Sequence, residues 1–182
     1  LELALTATRE AGQLTLKLFR RDNFEVERKE DDSPVTVADR EAEGRLRERI
    51  AEQFPEDAIV GEEFGEQSGS SGYQWILDPI DGTKSFISGV PLYGTLVGVA
   101  REGQSLLGAI YIPALDEWIH AAKGQGAWYR QGLGELRPAR VSNRSSLAGG
   151  LFLTSQVDTF ARRGAAEAFR QLEEAASITR TW

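Results

Sequence analysis

The sequence predicts an α+β protein: two N-terminal helices, a run of antiparallel strands, and the opening of a second α/β lobe. Three observations carry that prediction. Apolar residues recur at helical spacing over residues 1–20 and again from Ala38 to Phe54. Between residues 58 and 129 the apolar segments shorten and are separated by turn residues. From Leu151 a short apolar segment leads into a helical pattern, as an α/β unit requires.

The first helix is read from Leu3, Ala7, Ala11, Leu14 and Leu18, with Gly12 marking a close helix contact. Residues 25–35 are polar and end in Pro34, which predicts an exposed loop. In the second helix Ala38, Ala42, Leu46, Ile50 and Phe54 step by four along one face, and Pro55 ends it. Thr36 or Asp39 is placed to cap its free amides. Ala58–Gly61 reads as a buried strand, residues 65–72 as a flexible Gly/Ser loop, and Tyr73–Asp78 as the next strand. Tyr93–Arg101, Gln104–Ile112 and Glu117–Ala122 follow as extended segments, the first two joined by a hairpin turn at Glu102-Gly103. Ala127–Tyr129 and Arg137–Val141 are shorter candidates. Leu151–Thr154 then reads as a strand and 158–176 as one helix, with a further strand due where the chain stops at Trp182. The expected organisation is a lobe over 1–148 and the beginning of another over 149–182.

Bulk properties exclude several classes. The length of 182 residues suffices for a real core. A net charge of −7 argues against a nucleic-acid or anionic-membrane surface. The absence of cysteine removes disulfides, thiolate metal sites and a cysteine nucleophile, and fits a reducing compartment. No run is long and apolar enough to span a bilayer. Methionine is absent even at position 1, so the chain is expected not to begin where translation began.

The chemistry concentrates in Trp75-Ile76-Leu77-Asp78-Pro79-Ile80-Asp81-Gly82-Thr83-Lys84. An apolar strand ends in Asp78, Pro79 bends the chain, and Asp81 follows three residues on. Two carboxylates aimed at one spot need a cation between them, and an all-oxygen set suits Mg²⁺. Glu62 ends the preceding strand and would join them if the strands are neighbours; the Ile80 carbonyl is a further oxygen donor. Gly82 and Thr83 offer backbone N–H groups to an anion if a helical turn starts there. Metal ligands beside an anion cradle suit phosphoryl transfer. Taken separately, the residues have plainer readings: an Asx turn for 78–82, a solvated pair for Glu62-Glu63, a helix cap for Asp39, a surface charge for Lys29. His120 is the single histidine and is assigned a structural role; Ser33, Ser85 and Ser88 have no visible base partner, which argues against a serine nucleophile.

The combination is more specific than its parts. Lys29, Ser33-Pro34-Val35-Thr36, Ala38-Asp39, Gly61-Glu62-Glu63 and the 75–83 stretch together closely resemble the inositol monophosphatase family of Mg²⁺-dependent, lithium-sensitive phosphatases. The resemblance implies a layered α-β-α-β-α sandwich and a cytoplasmic homodimer acting on a small phosphorylated metabolite with two or three Mg²⁺ ions. It also implies roles. Glu62, Asp78 and the Ile80 carbonyl would hold one metal, Asp78 and Asp81 a second, and Glu63 would either stand behind these ligands or bind a weaker third metal. Glu62 and Thr83 would orient the attacking water, with Asp39 hydrogen-bonded to Thr83. Gly82, Thr83 and Lys84 would bind phosphate.

Residues 84–96 and the ending Thr179-Arg180-Thr181-Trp182 look like the histidinol-phosphatase branch, which makes histidinol phosphate the expected substrate. An inositol-1-phosphatase or a broad sugar- or nucleotide-phosphate phosphatase is the runner-up. The family draws one more metal-ligating aspartate from a Trp-Asp type motif in its C-terminal lobe, and nothing after Leu151 matches it. The second metal is therefore expected to lack a ligand, and the 182 residues to have little activity without a longer parent. A metal- or phosphate-binding module without turnover is the reading from another class.

Overall fold

A computed structural model describes residues 1–21, 26–28 and 34–181. It falls into two compact units, Leu1–Ala139 and Arg140–Trp182; the sequence places the boundary later, after Ala148.

In the first unit two 17-residue helices, α1 (Glu2–Leu18) and α2 (Val37–Gln53), lie against an eight-stranded sheet. The α1 stripe works largely as read: Leu3, Ala7 and Ala11 are buried, together with Ala4, while Leu14 and Leu18 are only half-buried. On α2, Ala38, Ala42, Leu46 and Ile50 are buried, but Phe54 is 43% exposed. Phe54 sits beyond the last helical residue with φ −134° and ψ 61°, so the step of four no longer holds its side chain on the inner face. Both cap candidates are used. Thr36 Oγ1 accepts from the Ala38 amide at 3.2 Å, and Asp39 Oδ2 accepts from the Thr36 amide at 2.7 Å. That reciprocal capping box fixes where α2 begins.

The sheet runs in the order β10-β9-β8-β7-β6-β5-β3-β4, with β3 (Ala58–Gly61), β4 (Gly65–Gln67), β5 (Tyr73–Asp81), β6 (Gly94–Arg101), β7 (Gln104–Ile112), β8 (Glu117–Ala122), β9 (Gly126–Gln131) and β10 (Arg137–Pro138). Every neighbouring pair is antiparallel except β3 and β5, which are parallel. Ile59, Trp75, Leu77, Val97 and Val99 turn one face of the sheet toward the helices and close the main core. Inward residues at every second position of each strand follow from the pleat.

Several expectations are corrected. The stretch 25–35 is not simply a loop: Val26–Arg28 (β1) pairs antiparallel with Pro34–Thr36 (β2), and Pro34 is tolerated because it opens its strand. Residues 29–33, with Lys29 and Ser33, lie outside the described residues. The segment 65–72 is ordered at both ends. It contributes β4, and the Ser70 and Ser71 amides donate to the Glu56 carbonyl at 2.8 and 3.1 Å. Gly69 packs so close that a Cβ there would lie 2.3 Å from the Ala58 nitrogen. In the second unit the single helix expected over 158–176 is two, α4 (Asp158–Arg162) and α5 (Ala166–Ala175), parted at Gly164 with φ 70°. The strand due after them is already present: Ile178–Thr181 (β12) pairs parallel with Leu151–Thr154 (β11). Phe152, Phe160 and Phe169 pack together between them, with centroids 5.2–6.5 Å apart.

Gly12 does mark a close contact, with Tyr111 on β7 and with Pro113, which opens the short 3-10 helix after that strand. A Cβ there would lie 2.5 Å from the Tyr111 ring and 2.9 Å from Pro113. The expected outcome for Gly12→Ala is a loss of about 1–2 kcal/mol, overpacking outweighing the gain in helix propensity, read as a lower midpoint in urea.

Candidate active site

The parallel pairing of β3 with β5 sets Gly61 opposite Leu77, so the next residue on each strand is a carboxylate, Glu62 and Asp78. The Glu62 amide donates to the Leu77 carbonyl at 3.2 Å and carries the pairing one step further. On the other side β5 pairs Asp78 with Leu96, then shifts register before Asp81 meets Gly94. Pro79 cannot donate within that irregularity. Its carbonyl is held instead by the fully buried Thr95, whose hydroxyl donates to it at 2.9 Å. The strand thus runs through the expected turn to Asp81 and brings Asp78 and Asp81 onto one bulged segment. Gly82 follows at φ 90°, a conformation suited to glycine, as N-cap of α3 (Thr83–Ile87). A Cβ on Gly82 would sit 3.3 Å from the Leu92 carbonyl oxygen.

The electrostatics are those of negative charges held together. Asp78 is pushed up to about 8, first by burial, then by the charges of Glu62 and Asp81, a hydrogen bond with Glu62, and the charge of Asp39. Its Oδ1 is buried and takes no hydrogen bond. Asp39 is 2% exposed at the start of α2, and its Oδ2 also accepts the Thr36 hydroxyl at 2.6 Å. The Thr83 hydroxyl donates to the Ile80 carbonyl at 3.1 Å. Glu62, Asp81, Gly82 and Lys84 are exposed, Glu63 and Thr83 half-buried, Ile80 buried. As placed, no three His, Cys, Asp or Glu side chains among the described residues stand close enough to share an ion. His120 lies elsewhere, buried on β8 against Trp118 with centroids 6.4 Å apart; burial, then Arg130, lowers its pKa.

Two residues of the surrounding frame escaped the sequence reading. Thr95 gives no local signal, because its role depends on the strand opposite. Glu43 does leave one: Asp39, Glu43 and Arg47 form a charged stripe at steps of four beside the apolar stripe of α2.

Fold and site together define an α+β protein whose parallel strand pair carries clustered carboxylates beside the N-terminus of a short helix. Residues 1–180 match the inositol monophosphatase family, and the chain belongs to that family. It is 50% identical over 128 residues to the histidinol-phosphatase of Chlorobaculum parvum, a match covering 70% of this chain and 49% of that protein. It is 37% identical over 171 residues to the histidinol-phosphatase of Mycobacterium tuberculosis, covering 93% and 65%. The chain thus spans about half to two thirds of the length of these curated relatives. Among solved structures, the extragenic suppressor protein suhB from Bartonella henselae superposes with a TM-score of 0.90 at 26% identity, covering 99% of this chain and 69% of that one. No helix among the described residues is long and apolar enough to cross a membrane.

Proposed function

We propose that the whole protein is a Mg²⁺-dependent phosphatase of a small phosphorylated metabolite, with histidinol phosphate as substrate. The observation that carries the reading is the parallel β3–β5 pair, which sets Glu62 beside an Asp78 whose buried Oδ1 has no partner. The donor set fits a hard cation. It is all oxygen, and the like charges that oppose ionisation of Asp78 are the charges a cation offsets. Glu62, Asp78 and the Ile80 carbonyl would hold one ion, Asp78 and Asp81 a second, with Glu63 near a third. When bound, Mg²⁺ offsets phosphate charge and lowers the pKa of a water it holds.

The residues of the chain do the rest. Glu62 and Thr83 would orient the attacking water; the Thr83 hydroxyl donates to the Ile80 carbonyl as it stands, and turning it to Asp39 would leave its oxygen to draw the water's proton. The amides of Gly82 and Thr83, unpaired by helix geometry at the start of α3, face the phosphate oxygens, and Lys84 adds positive charge beside them. A homodimer in the cytosol is part of the same reading, supported by family resemblance and by the lack of cysteine.

The test is phosphate release by the whole protein with and without Mg²⁺, since this chain spans about half to two thirds of the length of its curated relatives. Asp81→Asn is expected to lower the rate by at least about a hundredfold at fixed Mg²⁺. Full activity in that variant would remove the metal assignment. The similarity to two proteins named histidinol-phosphatase supports histidinol phosphate over inositol-1-phosphate as the substrate, and equal kcat/KM on the two would sink the preference.

A further inference from the structure

The geometry points to Glu43 as the positioning residue of the metal turn: a buried carboxylate on α2 that clamps the β3–β4 connection and so sets where Glu62 stands. This rests on the phosphatase reading and deepens it. Glu43 has no exposed side-chain surface. Its Oε2 accepts the Glu63 amide at 2.7 Å, and its Oε1 accepts the Phe64 amide at 3.2 Å. Arg47, one helical turn on, donates Nε to the same Oε1 at 2.8 Å and reaches the Gly65 carbonyl through its terminal nitrogen at 2.5 Å. The pair therefore grips three successive residues after Glu62. On the other side of Glu62, a Cβ at Gly61 would lie 1.9 Å from Glu43 Oε1, so glycine there is what admits the carboxylate.

Glu62 is thus held from two directions. Its own amide is tied to β5 through Leu77, and the residues on either side of it rest on Glu43. Without the clamp, the three-residue turn 62–64 would carry the ligand, and the backbone under Glu62 would be less fixed relative to Asp78. The clamp also shares its helix face with Asp39, one turn earlier, so a single rigid element locates both Asp39 and Glu62. Buried carboxylates accepting several N–H groups are strong, oriented acceptors, and groups of this kind behind a metal ligand are worth about ten- to a hundredfold in metal affinity.

The experiment titrates the whole protein with Mn²⁺, followed by electron paramagnetic resonance, alongside the Mg²⁺ dependence of phosphate release. Glu43→Gln replaces one acceptor oxygen by a donor NH₂ facing amides or Arg47. It is expected to weaken Mn²⁺ about tenfold and to raise the half-saturating Mg²⁺ equally. The kcat at saturating Mg²⁺ is expected to stay within about threefold, because the chemistry of Glu62 is intact once placed. Gly61→Ala is expected to do the same from the other side of the contact. Asp57→Asn serves as the stability control. Asp57 is buried and accepts from Trp75 Nε1 at 2.8 Å, away from the carboxylates, so its loss lowers the melting temperature without moving Mn²⁺ affinity. If wild type binds Mn²⁺ and both Glu43→Gln and Gly61→Ala bind it equally well, the positioning role is overturned and the phosphatase reading stands. If wild type itself binds no Mn²⁺ and releases no phosphate, the phosphatase reading falls, and the role of Glu43 toward a metal falls with it.

Discussion

Asp78→Asn is expected to raise the melting temperature of the metal-free protein by about 5 °C and to cut phosphate release on the order of a thousandfold. The two effects have one cause. Asp78 Oδ1 is buried without a partner, and Glu62, Asp81 and Asp39 all oppose its charge. A buried polar group left without a partner costs about 1–3 kcal/mol, and in a chain of this size each kcal/mol moves the midpoint by about 2–4 °C. Burial and the neighbouring charges keep the metal-free Asp78 protonated below about pH 8, a proton the unfolded chain does not bind at neutral pH; the amide needs no proton, keeps the shape, and can donate to Glu62. It also takes the negative charge and one oxygen from the residue that would hold both proposed ions, so Mg²⁺ would no longer stabilise the fold. Calorimetry with and without Mg²⁺ checks all of this: wild type should gain with Mg²⁺ as the logarithm of its concentration, and the variant should not. A lower melting temperature for the metal-free variant would refute the like-charge account.

That the site carries such strain explains which parts of it were legible in the sequence. Asp78, Pro79, Asp81, Gly82 and Thr83 are contiguous, and each residue type acts through its own backbone, so spacing reveals them. Glu62 needed one tertiary condition, that its strand neighbour the next, and the parallel β3–β5 pairing meets it. Thr95 acts across the fold on Pro79, and no local pattern announces that partner; Glu43 acts across it on Glu63, and only its stripe with Asp39 and Arg47 hints at a role. The same division holds for the scaffold. Helices with four or more apolar residues at one spacing were read with ends within a few residues, whereas β4 and β12 are short and polar, and only their pairing makes them strands. Gly164 lies inside the 158–176 helical pattern, where one glycine is usually tolerated; its positive φ parts α4 from α5.

Phe86→Ala is the change expected to reach both stability and chemistry, through the short helix that bears the phosphate amides. A five-residue helix has no stability of its own, so α3 stays in place by what it buries. Its one buried residue is Phe86, fully enclosed, with its ring edge-on to Tyr93 at 5.0 Å and tilted against Phe19 at 5.8 Å. The same small core contains Ile80 from the bulge and Ala38 from the first turn of α2. Truncating a buried phenylalanine costs about 3–5 kcal/mol, or roughly 6–20 °C in this size range. At 25 °C the surviving folded protein should still lose more than about tenfold in kcat/KM, because a shift of α3 misplaces the Gly82 and Thr83 amides. Phe86→Leu, which refills most of the cavity, should recover most of both losses. The two readouts separate the possibilities. If Phe86→Ala melts early while the folded fraction keeps its kcat/KM, this aromatic core supports the fold without placing the site, and α3 must be held by contacts other than its own buried face.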